Sequence, residues 1–359
     1  MKPQKNAPPV FIDKQDTMPK QNNNVWAEIE RSSTQRAHSA EVTSLKDQIK
    51  QYQQAVEEMS SRIDVASLIK EAPVSSQTYA IERKGKGSKE AAAVLVASDW
   101  HVEEVVDPKS VSHLNEFNLA VADRRIEKLC KTALRTIEVQ RGGTDIPVLV
   151  LCLLGDLMNG FIHEEAREEN ELTPTQTILW LKERVSKFIR TLQKEGGFER
   201  IVIPCSVGNH GRTTVKPRTS TSWKNSYEWL LYKILEQEIT EGVTWVIGEA
   251  YHTYLDVYSK TFRLHHGDGL KFMGGVGGLT IPVEKAIANW NKGRVADIDI
   301  FGHWHTSQQN PKWVSNGSLV GHNAYSIHIK APFEPPQQTL FLFDAKRGRT
   351  GTWPIFVEE

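Results

Sequence analysis

The chain has 359 residues, room for two ordinary domains or for one large domain with an appendage. Lys plus Arg and Asp plus Glu each number 44, so the formal net charge is zero; this argues against a strongly basic nucleic-acid coat or a polybasic membrane binder, while leaving room for a local basic patch. Three cysteines (Cys130, Cys152, Cys205) form no CxxC, no apolar run reaches the length of a membrane span, and the polar start MKPQKNAPPV lacks a signal-peptide core, so a soluble, reduced, cytoplasmic protein is expected.

Residues 1–24, rich in Pro, Gln, Asn and Lys, read as a disordered tail. A polar, helix-favouring extension follows over 25–81. Within it Val42, Leu45, Ile49, Tyr52, Val56, Met59 and Ile63 alternate spacings of three and four, an a/d seam with a β-branched residue at every a position. Such a seam suits a parallel dimer, making residues 42–66 a candidate homodimer interface; the alternative is one amphipathic helix docked on the main domain. ERKGKGSKE, 82–90, reads as a linker, and the main domain is expected over 91–359.

In that domain AAAVLVAS (91–98), IPVLVLCLL (146–154) and RIVIPCSV (200–207) are short continuous apolar runs, the pattern of strands buried on both faces. Helical stretches are expected over 117–140, 174–195 and 224–239. The later chain is strand-rich: YHTYLDVYS, TFRLHHG, DIDIFG and TLFLFDA. Alternating strands and helices followed by strands predict an α/β domain with helices outside packed sheets.

Each buried run is followed by residues able to hold a cation. The order is SDWH (Asp99, His101), LGDLMNG (Asp156, Asn159), VGNHGR (Asn209, His210), LHHGD (His265, His266, Asp268) and FGHWHT (His303, His305). Strand C-terminal ends on one edge of an α/β sheet are where such folds form a ligand crevice. Imidazole, carboxylate and amide oxygen without thiolate suit manganese first, with iron, zinc or nickel as alternatives. The set exceeds one four-coordinate site, so two divalent ions sharing a bridging carboxylate, Asp156, are expected; such a pair clamps an in-line displacement at phosphorus and generates hydroxide at neutral pH.

The ordered series Asp99-Trp-His101, Gly155-Asp156, Gly208-Asn209-His210, His266 and Gly302-His303-Trp-His305 resembles the calcineurin-like metallophosphoesterases, whose motifs run D-x-H, G-D, G-N-H-[D/E], H and G-H-x-H. The resemblance covers residues 92–345 and implies a four-layer α/β/β/α sandwich. It implies one metal on Asp99, His101, Asp156 and His305, and another on Asp156, Asn209, His266 and His303. His210 would face the substrate, stabilising the phosphoryl group or protonating the leaving oxygen.

The chain departs from the pattern at Gly211, where the family usually carries an acid that orients the imidazole; Asp268 or another acid is expected to substitute in space. Of the pair His265-His266, strand alternation allows one ligand, and His266 is chosen because relatives read HG. Asn159 is either part of an Asn-Gly turn or a polar contact to substrate. Residues 316–326, NGSLVGHNAYS, look like the strand and loop after GHxH in relatives.

The loop after His210 carries Arg212, Lys216, Arg218 and Lys224, with Arg212 and Lys216 as candidate phosphate contacts and Trp223, Tyr227 and Trp229 as core aromatics or, in the alternative, platforms for base stacking. The Gly-rich run 271–282 reads as an active-site loop, and the acidic stretch 163–172 as a rim or lid. The function expected is phosphodiester hydrolysis, with nucleic acid or a nucleotide as substrate, in a nuclease-like branch resembling SbcD-type repair exonuclease subunits. The alternatives are a small-molecule phosphomonoesterase or cyclic-nucleotide phosphodiesterase, and a non-catalytic binding scaffold.

Overall fold

In a computed structural model of the chain the described residues are Val42, Thr43, Lys46, Lys50, 79–83, 89–271 and 278–358. The chain divides into two units, Met1–Val74 and Ser75–Glu359. In the first, the four described residues are helical. The expected disordered tail, most of the heptad seam, the centre of the 82–90 linker and half of the Gly-rich run lie outside the described residues.

In chain order the elements of the second unit are β1 (Tyr79–Ile81), β2 (Glu90–Ala97), α1 (Leu119–Arg141), β3 (Asp145–Leu153), α2 (Glu164–Glu169), α3 (Pro174–Glu195), β4 (Arg200–Cys205), α4 (Tyr227–Glu238), β5 (Val243–Ile247), β6 (Thr253–Val257), β7 (Lys260–Leu264), α5 (Thr280–Trp290), β8 (Ile298–Phe301), β9 (Gln308–Asn310), β10 (Trp313–Ser315), α6 (Ala324–His328), β11 (Gln337–Asp344) and β12 (Gly348–Phe356). They build two six-stranded sheets, β12-β11-β2-β3-β4-β5 and β1-β6-β7-β8-β10-β9.

The period-2 side-chain alternation of a strand decides the layers. Ala91, Ala93 and Leu95 of β2, with Leu149, Leu151 and Leu153 of β3, face one core shared with Ile126 and Leu129 of α1 and Leu181 and Val185 of α3. Their neighbours Ala92, Val94, Val96, Val148 and Val150 face a second core with Leu255, Phe262, Leu264 and Ile300 of the other sheet. Phe301 and Trp313 then meet Val283 and Ile287 of α5. Helices, sheet, sheet and helix make a four-layer α/β/β/α sandwich, and the first sheet's inner strands, covered on both sides, read as unbroken apolar runs for that reason. Among the described residues no helix is long and apolar enough to cross a membrane.

Helix starts follow their caps. Asn118 Oδ1 accepts the Val121 N–H at 3.0 Å at the head of α1, and α3 begins on Pro174 in its first turn, with Gln176 Oε1 accepting the Thr173 N–H at 3.0 Å.

Three expectations change. Tyr79–Ile81, inside the extension expected to be helical, pairs in parallel with β6, and Glu90, expected in the linker, opens β2. Residues 316–323 are not a strand: the chain leaves β10, and its polar groups bind elsewhere, with Leu319 N donating to Asp99 O at 2.9 Å and Thr339 N donating to Asn316 Oδ1 at 2.9 Å. Finally, the outer strand β12 carries Gly348, Gly351 and Pro354, turn-like residues that an edge position tolerates because one flank needs no ladder partner.

Candidate metal centre

Strands β2, β3 and β4 pair in parallel, so the segments after them leave from one edge of their sheet. Strands β7 and β8 also run parallel to each other. The polar residues after these five strands meet. Three groups have ligand atoms within 4.8 Å of one another: Asp99, His101 and His305; His101, Asp156 and His210; and Asp156, His266 and His303.

The backbone there is unusual. Asp99, His101, Asp156, His303 and His305 all have φ between 46° and 68°, the left-handed region. For a residue with a side chain this costs about 1–3 kcal/mol and persists only where surroundings enforce it. Hydrogen bonds between the loops enforce it here: Asp99 N donates to Gly155 O at 3.0 Å, and Trp100 N and His101 N donate to Asp156 O at 2.8 and 3.1 Å. The His303 N–H is accepted by Asp99 Oδ1 at 2.9 Å and the His210 N–H by Asp156 Oδ1 at 2.8 Å.

Two of the imidazoles, His266 and His101, are held by their far nitrogens. His266 Nδ1 donates to Leu154 O at 2.8 Å, which leaves the Nε2 lone pair beside Asp156 Oδ2 (2.8 Å) and Asn209 Oδ1 (3.1 Å). His101 Nδ1 faces Asn159 Oδ1 at 3.2 Å, and its Nε2 sits 3.2 Å from Nε2 of His305. His305 Nε2 lies 3.6 Å from Asp99 Oδ1. Asp99 Oδ2 accepts the Ser98 hydroxyl at 2.5 Å, and Ser98 Oγ in turn accepts Asn316 Nδ2 at 2.9 Å. Acceptor atoms thus converge on acceptor atoms, an arrangement that repels unless positive charge stands among them. The donor set, with its outer anchors in place, fits divalent cations.

Electrostatics agree. Burial brings His303 down to about 3 and His305 down to about 4, and lowers His101 well below the ordinary histidine value, so all three are neutral, with lone pairs free to donate. Burial, with some help from Asp156, pushes Asp99 up to about 7. Burial would raise Asp156 too, but His266 and His210 outweigh it and hold Asp156 well below the carboxylate range. His266 moves the opposite way: burial lowers it, and the Asp156 carboxylate more than restores it. Asp156 and His266 thus each favour the other's charged form.

His210 is half-buried and donates Nδ1–H to the Asn159 carbonyl at 2.8 Å, so a backbone oxygen orients it rather than a carboxylate. Asp268 does not substitute: it is exposed, and the partner of His210 Nδ1 is Asn159 O. Asn159 is not placed for substrate either. It is buried, with N donating to Glu103 Oε2 at 2.9 Å and Nδ2 to Asn170 Oδ1 at 2.8 Å. Its work is to orient His101 and His210. Arg212 is partly turned inward as well, Nη1 donating to Asn209 O at 2.9 Å, while Lys216 stands exposed on the same loop. His265 is a core residue, stacked 5.2 Å from Phe301.

The sequence reading missed three residues. Glu103 takes the Asn159 and Gly160 amides at 2.9 and 2.8 Å. Glu228 is a second buried carboxylate behind the ligand loops. His163, exposed at the head of α2, has its ring 5.7 Å from that of His210. Its place directly after the GD segment was the available signal, obscured by the acidic residues that follow it.

Fold and site together define a four-layer α/β/β/α sandwich with a candidate metal centre at its strand ends. No family model matches the chain, and no curated protein matches it. Among solved structures the chain is similar to Vps29 of Entamoeba histolytica complexed with Zn²⁺, at 12% identity and a TM-score of 0.30 over 74% of this chain and 99% of that one. It is similar to Vps29 of Chaetomium thermophilum at 9% identity and a TM-score of 0.26, over 73% of this chain and 93% of that one. It is also similar to the sulfate thiohydrolase SoxB of Thermus thermophilus in complex with glycerol, at 12% identity and a TM-score of 0.29, over 77% of this chain and 58% of that one. At this distance the likeness says nothing of activity; the side chains above carry the chemistry.

Proposed function

We propose that the chain is a divalent-metal-dependent hydrolase of phosphodiester bonds, with nucleic acid as its substrate class. The observation that carries the hydrolase reading is the convergence of neutral imidazoles and carboxylates next to an imidazole, His210, whose tautomer is set by Asn159 O. Asp99, His101, Asp156 and His305 would hold one ion, and Asp156, Asn209, His266 and His303 the other, manganese being the first choice. Bound there, such ions supply Lewis acidity toward phosphoryl oxygens and lower the pKa of water.

His210 provides the proton chemistry. With Nδ1–H committed to Asn159 O, Nε2 is the atom available to substrate. Burial lowers its pKa and keeps the free imidazole neutral. An anionic phosphoryl group alongside raises it, so Nε2 takes up a proton and passes it to the leaving oxygen. The P–O bond to that oxygen breaks as the bond from the water oxygen to phosphorus forms, and the proton the water gives up goes to solvent, balancing the one His210 took up.

The nucleic-acid reading is supported by Lys216, Arg218 and Lys224, exposed on the loop that begins at His210. A second reading, a small phosphomonoester or cyclic nucleotide, is favoured by α2, whose Glu164, Glu165, Glu168 and Glu169 follow His163 at the site's edge and would repel a polyanion. The buried free thiols of Cys130, Cys152 and Cys205 suit a reducing, cytoplasmic setting.

The test offers purified protein with Mn²⁺ a panel of bis-p-nitrophenyl phosphate, p-nitrophenyl phosphate, cyclic nucleotides, linear DNA and RNA. Diester preference with polymer degradation is expected. Turnover confined to monoesters or cyclic nucleotides supports the second reading, and bound metal without turnover of any substrate supports a non-catalytic scaffold.

A further inference from the structure

The two loops that carry Asp156 and Asn209-His210 touch with no side chain between them. A Cβ added at Gly155 would lie 2.2 Å from Gly208 N, and one added at Gly208 would lie 2.1 Å from Asp156 Oδ1. The carboxylate of Glu228 reaches this junction from behind. Glu228 is fully buried; Oε1 accepts the Leu157 N–H at 2.7 Å and Oε2 accepts the Gly208 N–H at 2.7 Å. One side chain therefore holds one backbone amide from each loop, next in sequence to Asp156 on one side and to Asn209 on the other.

The placement of Glu228 is itself determined locally. Ser226 Oγ caps α4 by accepting the Glu228 N–H at 3.2 Å, and Tyr227 N donates to Gly211 O at 2.8 Å. Position 211 is thereby laid against the head of α4. A Cβ at Gly211 would meet Glu228 Cγ at 2.8 Å, Cδ at 3.1 Å and Oε2 at 3.3 Å. Glu228 thus occupies the space that a side chain after His210 would need, and the φ of Gly211 is not in the left-handed region, so the absence of a side chain there is a matter of room.

We infer that Glu228 is a positioning residue: it staples the Asp156 loop to the Asn209-His210 loop and so sets the separation of the two groups of donors. Its effect on turnover rests on the hydrolase reading above; its effect on cation binding does not. The carboxylate suits the task because both oxygens accept, whereas an amide offers one acceptor and turns N–H groups toward a backbone N–H.

The experiment compares wild type, Glu228→Gln, Glu228→Ala and the double variant Gly211→Glu/Glu228→Ala. Each is followed by melting temperature with and without Mn²⁺, by Mn²⁺ titration, and by kcat and KM on bis-p-nitrophenyl phosphate. Glu228→Gln is expected to weaken Mn²⁺ binding by about 10–100-fold, shrink the Mn²⁺-induced rise in melting temperature, and lower kcat more than KM. The double variant, with its acid returned to the same junction from position 211, is expected to recover at least about tenfold of the Mn²⁺ affinity lost in Glu228→Ala. A role in packing alone would lower the metal-free melting temperature and leave the Mn²⁺-induced rise intact, and that result overturns the inference. So does a folded double variant no better than Glu228→Ala. If wild type binds Mn²⁺ but turns over no substrate, the hydrolase reading fails while the titrations still decide on Glu228.

Discussion

His265 and His266 follow one another at the end of β7 and belong to two different clusters. His266 joins His101, His303 and His305 among carboxylates; His265 joins His252 among aromatic rings. In the first cluster the far nitrogens of His266 and His101 are tied to Leu154 O and Asn159 Oδ1, and their near nitrogens face other acceptors. In the second, His265 stacks on Phe301 and Tyr251 at 5.2 and 5.7 Å and lies 5.1 Å edge-on to Trp290. The carboxylate nearby, Asp299, is 3.6 Å from His265 Nε2, beyond hydrogen-bond reach, and both its oxygens grip Arg263 at 2.6 and 3.0 Å. A fixed guanidinium repels a cation where the other cluster concentrates negative charge. The lesson is that histidine density does not by itself suit a cation; anchored tautomers, aimed lone pairs and carboxylates that no guanidinium neutralises do.

The comparison can be broken most severely at Asp156. Asp156→Asn should strip metal from both groups of donors and reduce turnover to background, measured by elemental analysis and initial rates; unchanged metal content would refute a shared carboxylate. His210→Ala should keep its metal and lose about 10²–10⁴-fold in turnover, because it removes only the proton carrier. Loss of metal along with activity would instead make His210 a ligand. Asn159→Ala releases His101 Nδ1 and should weaken cation binding by about 10–100-fold without touching a ligand; an unaltered Mn²⁺ titration would show that the anchor is dispensable.

The smallest effect belongs to the other cluster. Burial brings His252 down from 6.5 to about 3, so below 6.5 the unfolded chain takes up a proton that the folded one refuses. Stability is then lost as pH falls from 6.5 toward 3, and is unaffected by this group above 6.5. His252→Phe should flatten that acid limb in urea melts and leave metal content as in wild type. An equally steep acid limb would mean that other groups set it.

Much of the site was legible because its ligands follow buried strands. An unbroken apolar run ending in Asp or His leaves few readings, and five such ends in order left fewer. The two carboxylates behind the loops were not legible. Glu103 in HVEEVVD and Glu228 in SYEWLL look like ordinary surface acids, since local pattern does not reveal that both are fully buried on backbone amides. Asn159 was legible only in part: Asn-Gly announces a turn, and the turn is real, but local pattern does not reveal that its side chain and carbonyl face imidazoles. Strand β1 escaped because three residues carry too little periodicity to tell strand from helix, and only pairing with β6 defines it.

Anomalous diffraction from a crystal grown with Mn²⁺ tests the central claim most directly. One peak is expected among Asp99, His101 and His305 and another among Asn209, His266 and His303, with Asp156 reaching both. Peaks absent from these donors, or found instead beside His252 and His265, would contradict it.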